Sequence, residues 1–164
     1  MTGCEPDDAT GYLADEAATE ALGARLGVLP ADRVQVVHLR GDLGAGKTTL
    51  VRGLLRSMGH AGAVRSPTYT LMEPYRLGGR AILHMDLYRL GDPEELEFIG
   101  LRDALAEPVL VLVEWPERGE GVLPAADVSI RLAPSGAGRR FDAAGCGDAG
   151  RAFMDAISIN KNNN

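Results

Sequence analysis

The sequence predicts an α/β sandwich in which helices flank a mixed, mostly parallel central sheet. Two nearly continuous apolar runs, at 34–39 and 109–113, have the composition of strands that are buried on both faces. Segments with helical periodicity alternate with predicted strands, which is the order expected of strand–helix–strand units. The chain has 164 residues, of which 45% are hydrophobic, and this is enough for one domain with a single sizeable core.

A single domain is predicted over residues 1–157. Its first residues, Met1–Thr10, are polar and turn-rich, and we expect them to be flexible because chain ends of this kind are commonly poorly ordered. The last residues, Ser158–Asn164, hold all four asparagines of the chain. We expect a disordered tail or an expression remnant there and exclude it from the fold.

The first half of the chain predicts a helix, a strand and a second helix. Apolar residues recur at helical spacing in Asp15–Leu29, and Pro30 follows as a stop. Val34–Leu39 has the pattern of a buried parallel strand. The glycines of Gly41–Gly46 interrupt this pattern, and helical spacing resumes in Thr48–Met58.

The second half predicts more strands and two more helices. Residues 66–77 look like a loop that leads into an extended segment, with 81–90 as its neighbour after a Gly-Gly turn. Asp92 as a cap and Pro93 in the first turn predict a helix over 92–105. The remaining predictions are a buried strand at 108–115, short strands at 127–132 and 139–145, and a closing helix at 150–157.

Composition argues against several functions. The net charge is −6 and the basic residues are dispersed, whereas binding to a phosphate backbone needs clustered positive charge. Cys4 and Cys146 have no Cys or His at ligand spacing, which argues against a zinc site or a disulfide framework and favours reducing surroundings. The longest apolar run, 109–113, is far shorter than the roughly 20 residues of a membrane span. We therefore expect a cytoplasmic protein that neither enters a membrane nor binds nucleic acid directly.

The stretch Gly41–Thr48, GDLGAGKT, fits the phosphate-loop pattern G-x-x-x-x-G-K-[ST] at every fixed position. It lies between a predicted strand and a predicted helix, which is the context that this motif requires. Of 17 lysine and arginine residues only Lys47 and Lys161 are lysine, and a compact ammonium can enter a tight backbone cradle that a planar guanidinium cannot. A glycine-rich turn that merely caps a helix is the weaker alternative. The predicted fold is therefore a P-loop NTPase sandwich.

Each part of this motif has a chemical role. The glycines let backbone N–H groups point inward around a β-phosphate, and the helix start adds the positive end of its dipole. Lys47 would reach the β- and γ-phosphate oxygens, and Thr48 would offer its hydroxyl to Mg²⁺. Proteins specific for GTP commonly read guanine with an Asn-Lys-x-Asp element, and this chain has no asparagine before position 160. ATP is the predicted substrate, with Mg²⁺ as its cofactor.

A P-loop also needs a carboxylate at the end of a neighbouring strand to hold the metal. Glu114 directly follows the apolar run 109–113, although aspartate is the commoner residue there. Asp86 follows the predicted strand 81–85 and shares a face with His84 if that segment is extended, since side chains alternate. Asp86 would act on the metal through water or orient the attacking water. The alternative for Glu114 is a glutamate that faces solvent at a strand end. The alternative for Asp86 is an aspartate that caps a turn.

Weaker signals come from isolated residues. The hydroxyl of Thr68, in the sequence Ser66–Thr68, could sense a γ-phosphate as switch loops do, but a plain turn is the favoured interpretation of Ser-Pro. Trp115, the only tryptophan, is expected to pack at the sheet edge. Arg89 and Arg102 are weak candidates for an arginine finger, because isolated arginines are usually solvated.

Five short motifs occur in order along the chain, namely GDLGAGKTT, SPTYTL, HMDLYRL, DPEELEFIGL and VEWPE. In this order and spacing they resemble the bacterial TsaE family, the P-loop ATPase of tRNA threonylcarbamoyladenosine biosynthesis. The resemblance covers Leu13–Leu132, and the sequence after Glu117 supports no site. It implies an ATP-hydrolysing accessory subunit that acts with two partner proteins, TsaD and TsaB, and reaches tRNA only through them.

The resemblance also implies roles for individual residues. Thr48 and Glu114 look like the Mg²⁺ ligands, and Asp86 looks like the acid beside the γ-phosphate. Glu16 resembles an N-terminal nucleotide contact, and Thr68 becomes a switch candidate. The residues that look like the phosphate cradle are Gly44, Ala45, Gly46, Lys47, Thr48 and Thr49.

We predict slow hydrolysis by the isolated chain, because phosphoryl transfer needs charge compensation and no arginine finger or general base is evident in the sequence. Partner binding would complete the site. One alternative is a P-loop small-molecule kinase that uses Asp86 as the base for an acceptor hydroxyl, although no lid segment is evident. Another is a nucleotide-gated binding module whose ATP state sets its affinity for partners.

Overall fold

The computed structural model describes residues 7–158, which form one seven-stranded sheet with helices on both faces. The strands are β1 (Asp7–Leu13), β2 (Gln35–Arg40), β3 (Met72–Leu77), β4 (Arg80–Asp86), β5 (Leu110–Glu114), β6 (Val128–Ser135) and β7 (Gly138–Gly145). The α-helices are α1 (Glu16–Ala24), α2 (Lys47–Ser57), α3 (Glu95–Phe98), α4 (Leu101–Ala104) and α5 (Gly147–Ser158). Short 3-10 helices cover Arg25–Val28 and Pro116–Gly119.

The strand order in the sheet is β1-β7-β6-β2-β5-β4-β3. The central pairs β6–β2, β2–β5 and β5–β4 are parallel. Antiparallel pairs add β7 and β1 at one edge and β3 at the other. Strands β3 and β7 therefore run against the other described strands, and the predicted α/β class with a mixed, mostly parallel sheet is confirmed.

The two faces of the sheet bury separate apolar clusters. Because side chains alternate along a strand, Val37 of β2 packs in one cluster and Val36 in the other. The first cluster includes residues of α1, α2 and α5, and the second includes residues of α3 and α4. Helices thus cover both faces of the central strands, which explains why the sequences of β2 and β5 are almost continuously apolar.

Two glycines bring α1 and α2 into close contact. A Cβ placed on Gly23 of α1 would overlap the backbone carbonyl of Leu50, and one placed on Gly53 of α2 would overlap the backbone of Glu20. Any side chain larger than hydrogen is therefore excluded at both positions. Since α2 begins at Lys47, this contact fixes the helix that follows the glycine loop.

The N-terminal segment is more ordered than predicted. Residues 7–10 belong to β1, which pairs with β7 along its whole length. The expectation of a flexible Met1–Thr10 is wrong for these residues, because an antiparallel partner satisfies their backbone groups. The remainder, Met1–Pro6, lies outside the described residues.

The predicted tail also begins later than expected. Ser158 is the last residue of α5, and its hydroxyl donates a hydrogen bond to the Met154 carbonyl oxygen at 2.8 Å. Residues 159–164 lie outside the described residues. The closing helix itself begins at Gly147, three positions before the predicted start at Gly150.

The first predicted helix is confirmed in part. Asp15 caps α1 by accepting a hydrogen bond from the Ala18 backbone N–H at 2.8 Å. The α-helix then ends at Ala24 and the chain continues as the 3-10 helix Arg25–Val28, not as an α-helix to Leu29.

The helix predicted at 92–105 is divided. Gly100 has a φ of 89°, in the left-handed region, and this residue separates α3 from α4. Asp92 does not act as the N-cap, because α3 begins only at Glu95. Its carboxylate instead accepts a hydrogen bond from the Glu94 N–H at 2.9 Å in the turn before the helix.

The extended segments are confirmed as strands. Residues predicted as neighbours at 66–77 and 81–90 pair through Met72–Leu77 and 80–85. The short strands predicted at 127–132 and 139–145 correspond to β6 and β7, which pair with each other. Of the helices in residues 7–158, none is both long enough and apolar enough to cross a membrane.

Candidate functional site

The candidate site lies at the edge of the sheet where β2, β4 and β5 end. In sheets of this kind ligands bind outside the carboxyl ends of the parallel strands. Asp86 ends β4, Glu114 ends β5, and the two residues are register partners. Both are buried, with only 4% of Asp86 and 3% of Glu114 exposed. The glycine loop leaves β2 at the same edge, so that both predicted carboxylates lie beside it.

The glycine loop has a backbone shape that few residues adopt. Gly44 and Gly46 have φ values of 77° and 109°, in the region that glycine enters at little cost. A Cβ on Gly46 would also lie 2.8 Å from Nε of Arg139. Gly46 is the N-cap residue of α2, so that the unpaired N–H groups of the first helical turn face the sheet edge. Such N–H groups, with the helix dipole, suit an anionic ligand.

Lys47 is held inside this loop. Its Nζ donates hydrogen bonds to the carbonyl oxygens of Gly41 at 2.5 Å and Asp42 at 2.8 Å, and it lies 4.4 Å from the centroid of the Trp115 ring. Burial lowers the pKa of Lys47, while the nearby carboxylates, Glu114 first, oppose this shift. An ammonium has three N–H donors, so one remains for a phosphate after the two carbonyl bonds.

Thr48 and Glu114 meet directly. The Thr48 hydroxyl lies 3.0 Å from Oε1 and 3.2 Å from Oε2 of Glu114 and donates to this carboxylate. Nε2 of His84 lies 2.6 Å from Oε2 of the same carboxylate. The alternative of a solvent-facing glutamate at this strand end is wrong, because Glu114 is buried and bonded on both oxygens.

Asp86 has its own set of donors. Its Oδ2 accepts from the hydroxyls of Ser66 and, at 3.2 Å, Thr68. Its Oδ1 accepts from the Tyr88 backbone N–H at 2.9 Å, which is the capping interaction that the sequence left open. The structure thus brings Thr68 to a buried acid, whereas its role as a switch stays a prediction.

Backbone strain is concentrated beside the site. Among residues 7–158 the non-glycine residues with positive φ are Leu71, at 67°, and Trp115, at 59°. Leu71 closes the Ser-Pro-Thr turn, since its N–H donates to Pro67 and its carbonyl accepts from Asp86. Trp115 directly follows Glu114. Strained residues of this kind cluster where surrounding structure holds a functional geometry in place.

A cavity of about 270 Å³ adjoins the glycine loop. Its lining includes Glu16, Gly44 and Arg139. The predicted contact Glu16 is therefore next to the loop, although its carboxylate also accepts a hydrogen bond from Arg52 at 3.4 Å. Arg139 was missed by the sequence analysis. It is the second residue of β7, beside the β6–β7 turn, and donates to the buried Thr19 hydroxyl at 2.9 Å. No local pattern distinguishes it from other strand arginines.

Of the remaining candidates, Trp115 contacts the site, whereas Arg89 and Arg102 have partners elsewhere. The Arg89 guanidinium stacks on Tyr69, 4.4 Å from the ring centroid, and Arg102 is exposed and paired with Glu97 at 3.0 Å. Trp115 packs against the second apolar cluster, as predicted for a sheet-edge aromatic, but it also contacts Lys47.

The fold and this edge define the class of protein. A glycine loop between a parallel strand and a helix, with its lysine buried beside two strand-end acids, is the P-loop architecture of α/β proteins. A sequence model of one family, described as threonylcarbamoyl adenosine biosynthesis protein TsaE, matches residues 13–141. The chain belongs to the TsaE family, and the resemblance noted in the sequence is confirmed.

Individual relatives agree with this assignment. A tRNA threonylcarbamoyladenosine biosynthesis protein TsaE from Haemophilus influenzae is 48% identical over 127 residues, which are 75% of this chain and 80% of the relative. A protein of the same name from Nostoc sp. is 42% identical over 112 residues, covering 65% of this chain and 67% of the relative. The crystal structure of Bacillus subtilis YdiB matches with a TM-score of 0.73 and 26% identity, over 96% of this chain and 98% of that chain. The family role of the chain is thus in tRNA threonylcarbamoyladenosine biosynthesis.

Proposed function

We propose that this chain is a Mg²⁺-dependent ATPase that serves tRNA threonylcarbamoyladenosine modification as an accessory subunit of TsaD and TsaB. The observation that carries the proposal is the convergence of Lys47, Thr48 and Glu114 at the carboxyl edge of the sheet. These groups come from a glycine loop, a helix start and a neighbouring strand end. That combination has the donors that a nucleoside triphosphate and its metal require.

The phosphates of ATP would bind along the first turn of α2. Backbone N–H groups of Gly44–Thr49 would surround the β-phosphate, and the remaining N–H of Lys47 would reach the β- and γ-oxygens. The cavity that includes Glu16, Gly44 and Arg139 adjoins the same loop and leaves room for the nucleoside. ATP remains the proposed nucleotide because a guanine-reading Asn-Lys-x-Asp element is missing from the sequence.

The residues present fit a magnesium ion. Thr48 and Glu114 offer oxygen donors 3.0 Å apart, and Mg²⁺ prefers oxygen ligands, several of them usually water and substrate phosphates. Within residues 7–158 no group of three His, Cys, Asp or Glu side chains is placed to hold a metal by itself. The charges also favour the ion. The one positive charge of Lys47 lies near two buried carboxylates, Asp86 and Glu114, so an anionic nucleotide needs a further cation beside it. Bound there, Mg²⁺ would neutralise charge on the phosphates.

Asp86 is suited to orient the attacking water. A carboxylate offers about four lone-pair sites, and Ser66, Thr68 and Tyr88 occupy three of those of Asp86. One site remains to accept a hydrogen bond from water. The water oxygen would then bond to the γ-phosphorus while the bond from that phosphorus to the bridging oxygen breaks, which gives ADP and inorganic phosphate.

Hydrolysis by the isolated chain should be slow. Arg89 stacks on Tyr69 and Arg102 pairs with Glu97, so neither is placed to compensate charge at the γ-phosphate. A missing arginine finger costs roughly 10³- to 10⁵-fold in turnover. TsaD and TsaB would supply or order the missing group, and tRNA would be reached through them.

Phosphate release from ATP tests this function directly. We would measure it for the isolated chain and for the chain with TsaD, TsaB and tRNA, with Lys47→Ala as the inactive variant. Arg33→Ala, at an exposed arginine before the opposite end of β2, is the control for loss of a positive charge. The proposal requires stimulation by the partners that Lys47→Ala abolishes and Arg33→Ala retains.

Three other results would replace the proposal. Equal hydrolysis with and without the partners would separate the ATPase from the modification pathway. Transfer of labelled γ-phosphate to an acceptor other than water would establish the kinase alternative, with Asp86 as the base. Full tRNA modification by Glu114→Ala would favour a binding module that does not need hydrolysis.

A further inference from the structure

His84 is a buried polar side chain with one partner. It lies in β4 with 0% of its surface exposed. Its Nε2 is 2.6 Å from Oε2 of Glu114, while its Nδ1 is buried and has no hydrogen-bond partner. Buried polar groups normally have partners, so this arrangement calls for a reason other than packing.

The contact determines which ring nitrogen carries the proton. An ionised carboxylate only accepts hydrogen bonds, so Nε2 must donate to Glu114. Nδ1 then has a lone pair and no proton, since a buried N–H without an acceptor would be costly. The ring therefore directs one N–H, from a rigid strand, at one oxygen of Glu114.

Glu114 needs such a contact more than an aspartate would. Its side chain has one more rotatable bond than aspartate, and each bond that is free in the absence of ligand must be ordered when a ligand binds. The Thr48 hydroxyl contacts both carboxylate oxygens and does not select between them by distance alone, at 3.0 and 3.2 Å. His84 contacts only Oε2. It thereby leaves Oε1, the oxygen nearer the Thr48 hydroxyl, directed towards the glycine loop.

We propose that His84 is a positioning residue that fixes the rotamer of Glu114 for metal binding. The inference rests on the proposed Mg²⁺–ATP function, because Glu114 is the residue through which His84 acts. It assigns His84 no contact with nucleotide, metal or water. Residues that hydrogen-bond to a metal ligand without touching the metal typically change metal affinity by 10- to 100-fold when they are removed.

The test measures metal affinity and not only turnover. Mn²⁺ would replace Mg²⁺ as a spectroscopic probe, titrated by electron paramagnetic resonance into the chain saturated with a non-hydrolysable ATP analogue. His84→Leu removes the N–H donor and puts an apolar side chain of similar bulk in its place. His84→Gln restores an N–H donor, on a more flexible side chain. His60→Leu is the matched control, because His60 packs edge-on against Tyr75, away from Glu114.

We expect His84→Leu to weaken Mn²⁺ binding about 10- to 100-fold, with His84→Gln recovering most of the loss and His60→Leu unchanged. Binding of the analogue measured in EDTA should stay the same, since His84 does not reach the nucleotide. Equal Mn²⁺ affinity in His84→Leu and the unmodified chain would overturn the inference while leaving the ATPase intact. If the unmodified chain binds no Mn²⁺–nucleotide at all, it is the proposed function that fails.

A measurement on the unmodified chain guards against misfolding of the variant. The ¹⁵N signals of the His84 imidazole report which ring nitrogen is protonated, independently of any nucleotide. We expect a protonated Nε2 and an unprotonated Nδ1. The reverse tautomer would show that His84 does not donate to Glu114 and would overturn the inference without any substitution.

Discussion

The candidate site has two halves that are held in place differently. The helix half consists of Lys47 and Thr48, the first residues of α2, together with Glu114. The loop half consists of Ser66 and Thr68 around Asp86, and its hydroxyls come from 58–71, a stretch without helix or strand. Both halves end on buried strand-end carboxylates, but α2 contributes four fully buried residues to the apolar core, whereas the stretch 58–71 contributes one buried member, Val64.

This difference predicts which half can move. The buried face of α2 includes Leu50 and Leu54, both 0% exposed, so displacing this helix would disrupt core packing. The hydroxyls of the loop half are joined to Asp86 by hydrogen bonds, and a typical one contributes about 0.5–1.5 kcal/mol net. Rearrangement of the loop half is thus within the few kcal/mol that separate functional conformations. We expect ligand and partner effects to concentrate there.

The largest effect is expected when Lys47 of the helix half is replaced by a residue that has the same charge but a different shape. Lys47→Arg keeps the positive charge, but the planar guanidinium does not fit between the Gly41 and Asp42 carbonyls, which approach Nζ to 2.5 and 2.8 Å. We expect kcat/KM for ATP hydrolysis to fall by about 100- to 1000-fold. Steady-state phosphate release measures this.

The matched control for Lys47→Arg is Arg33→Lys, the reverse exchange at an exposed position. It should change the rate by less than about twofold, since surface changes away from such features have small effects. If the Lys47→Arg protein hydrolyses ATP within threefold of the unmodified rate, the positive charge alone, and not its fit between the two carbonyls, is what position 47 requires.

The next effect concerns the packing that makes the helix half rigid. Gly53→Ala would place a Cβ against the backbone of Glu20 in α1, and because backbone cannot move aside as a side chain can, the helices must separate. We expect the free energy of unfolding to fall by about 1–3 kcal/mol, measured by denaturant titration. Gly27→Ala is the control, because its Cβ would meet only Leu54 Cδ1, at 3.9 Å. Equal stability of the two variants would mean that α1 and α2 are not held by close contact.

The two halves also differ in how far they could be predicted. The helix half was predicted because its phosphate-facing groups are adjacent in the sequence and Glu114 ends an apolar strand. Asp86 was found by the same strand-end pattern. Its donors were less certain, because the Ser66–Asp86 contact depends on how a loop without regular structure folds back, and a Ser-Pro pair indicates only a turn.

Elsewhere the failures have a common physical cause. Strand β1 was missed because Asp7–Leu13 has few apolar side chains, and its order comes from pairing with β7. The break at Gly100 was missed because a helix-period pattern continues across it, and one glycine at positive φ ends the helix. Arg139 reaches the glycine loop only because the β6–β7 hairpin places it there. In each case a non-local contact or a single backbone angle overrides a local pattern.

A smaller effect should follow from removing one hydroxyl of the loop half. Thr68→Val keeps the shape of the side chain but loses the 3.2 Å hydrogen bond to Asp86. We expect a stability loss of about 1 kcal/mol and a fall in kcat of up to about tenfold, with KM for ATP little changed because Asp86 would act on water. Thr70→Val is the control, since Thr70 is exposed and bonds only to a backbone carbonyl at 3.4 Å. A larger fall in kcat or in stability for Thr70→Val than for Thr68→Val would mean that Thr68 is not the hydroxyl on which the loop half depends.

The smallest effect lies in the helix half, between the Lys47 ammonium and the Trp115 ring at 4.4 Å. We would combine Lys47→Met and Trp115→Leu in a double-mutant cycle on the free energy of unfolding, because leucine has no π face and the cycle removes the packing change that each substitution causes alone. A partly desolvated cation–π contact should give a coupling of about 0.5–2 kcal/mol. The same cycle with Arg33→Met in place of Lys47→Met should give a coupling near zero. A coupling near zero in the Lys47 cycle as well would mean that only the Gly41 and Asp42 carbonyls hold the lysine. The role of Trp115 would then be its packing on Tyr88, whose ring centroid lies 5.1 Å away.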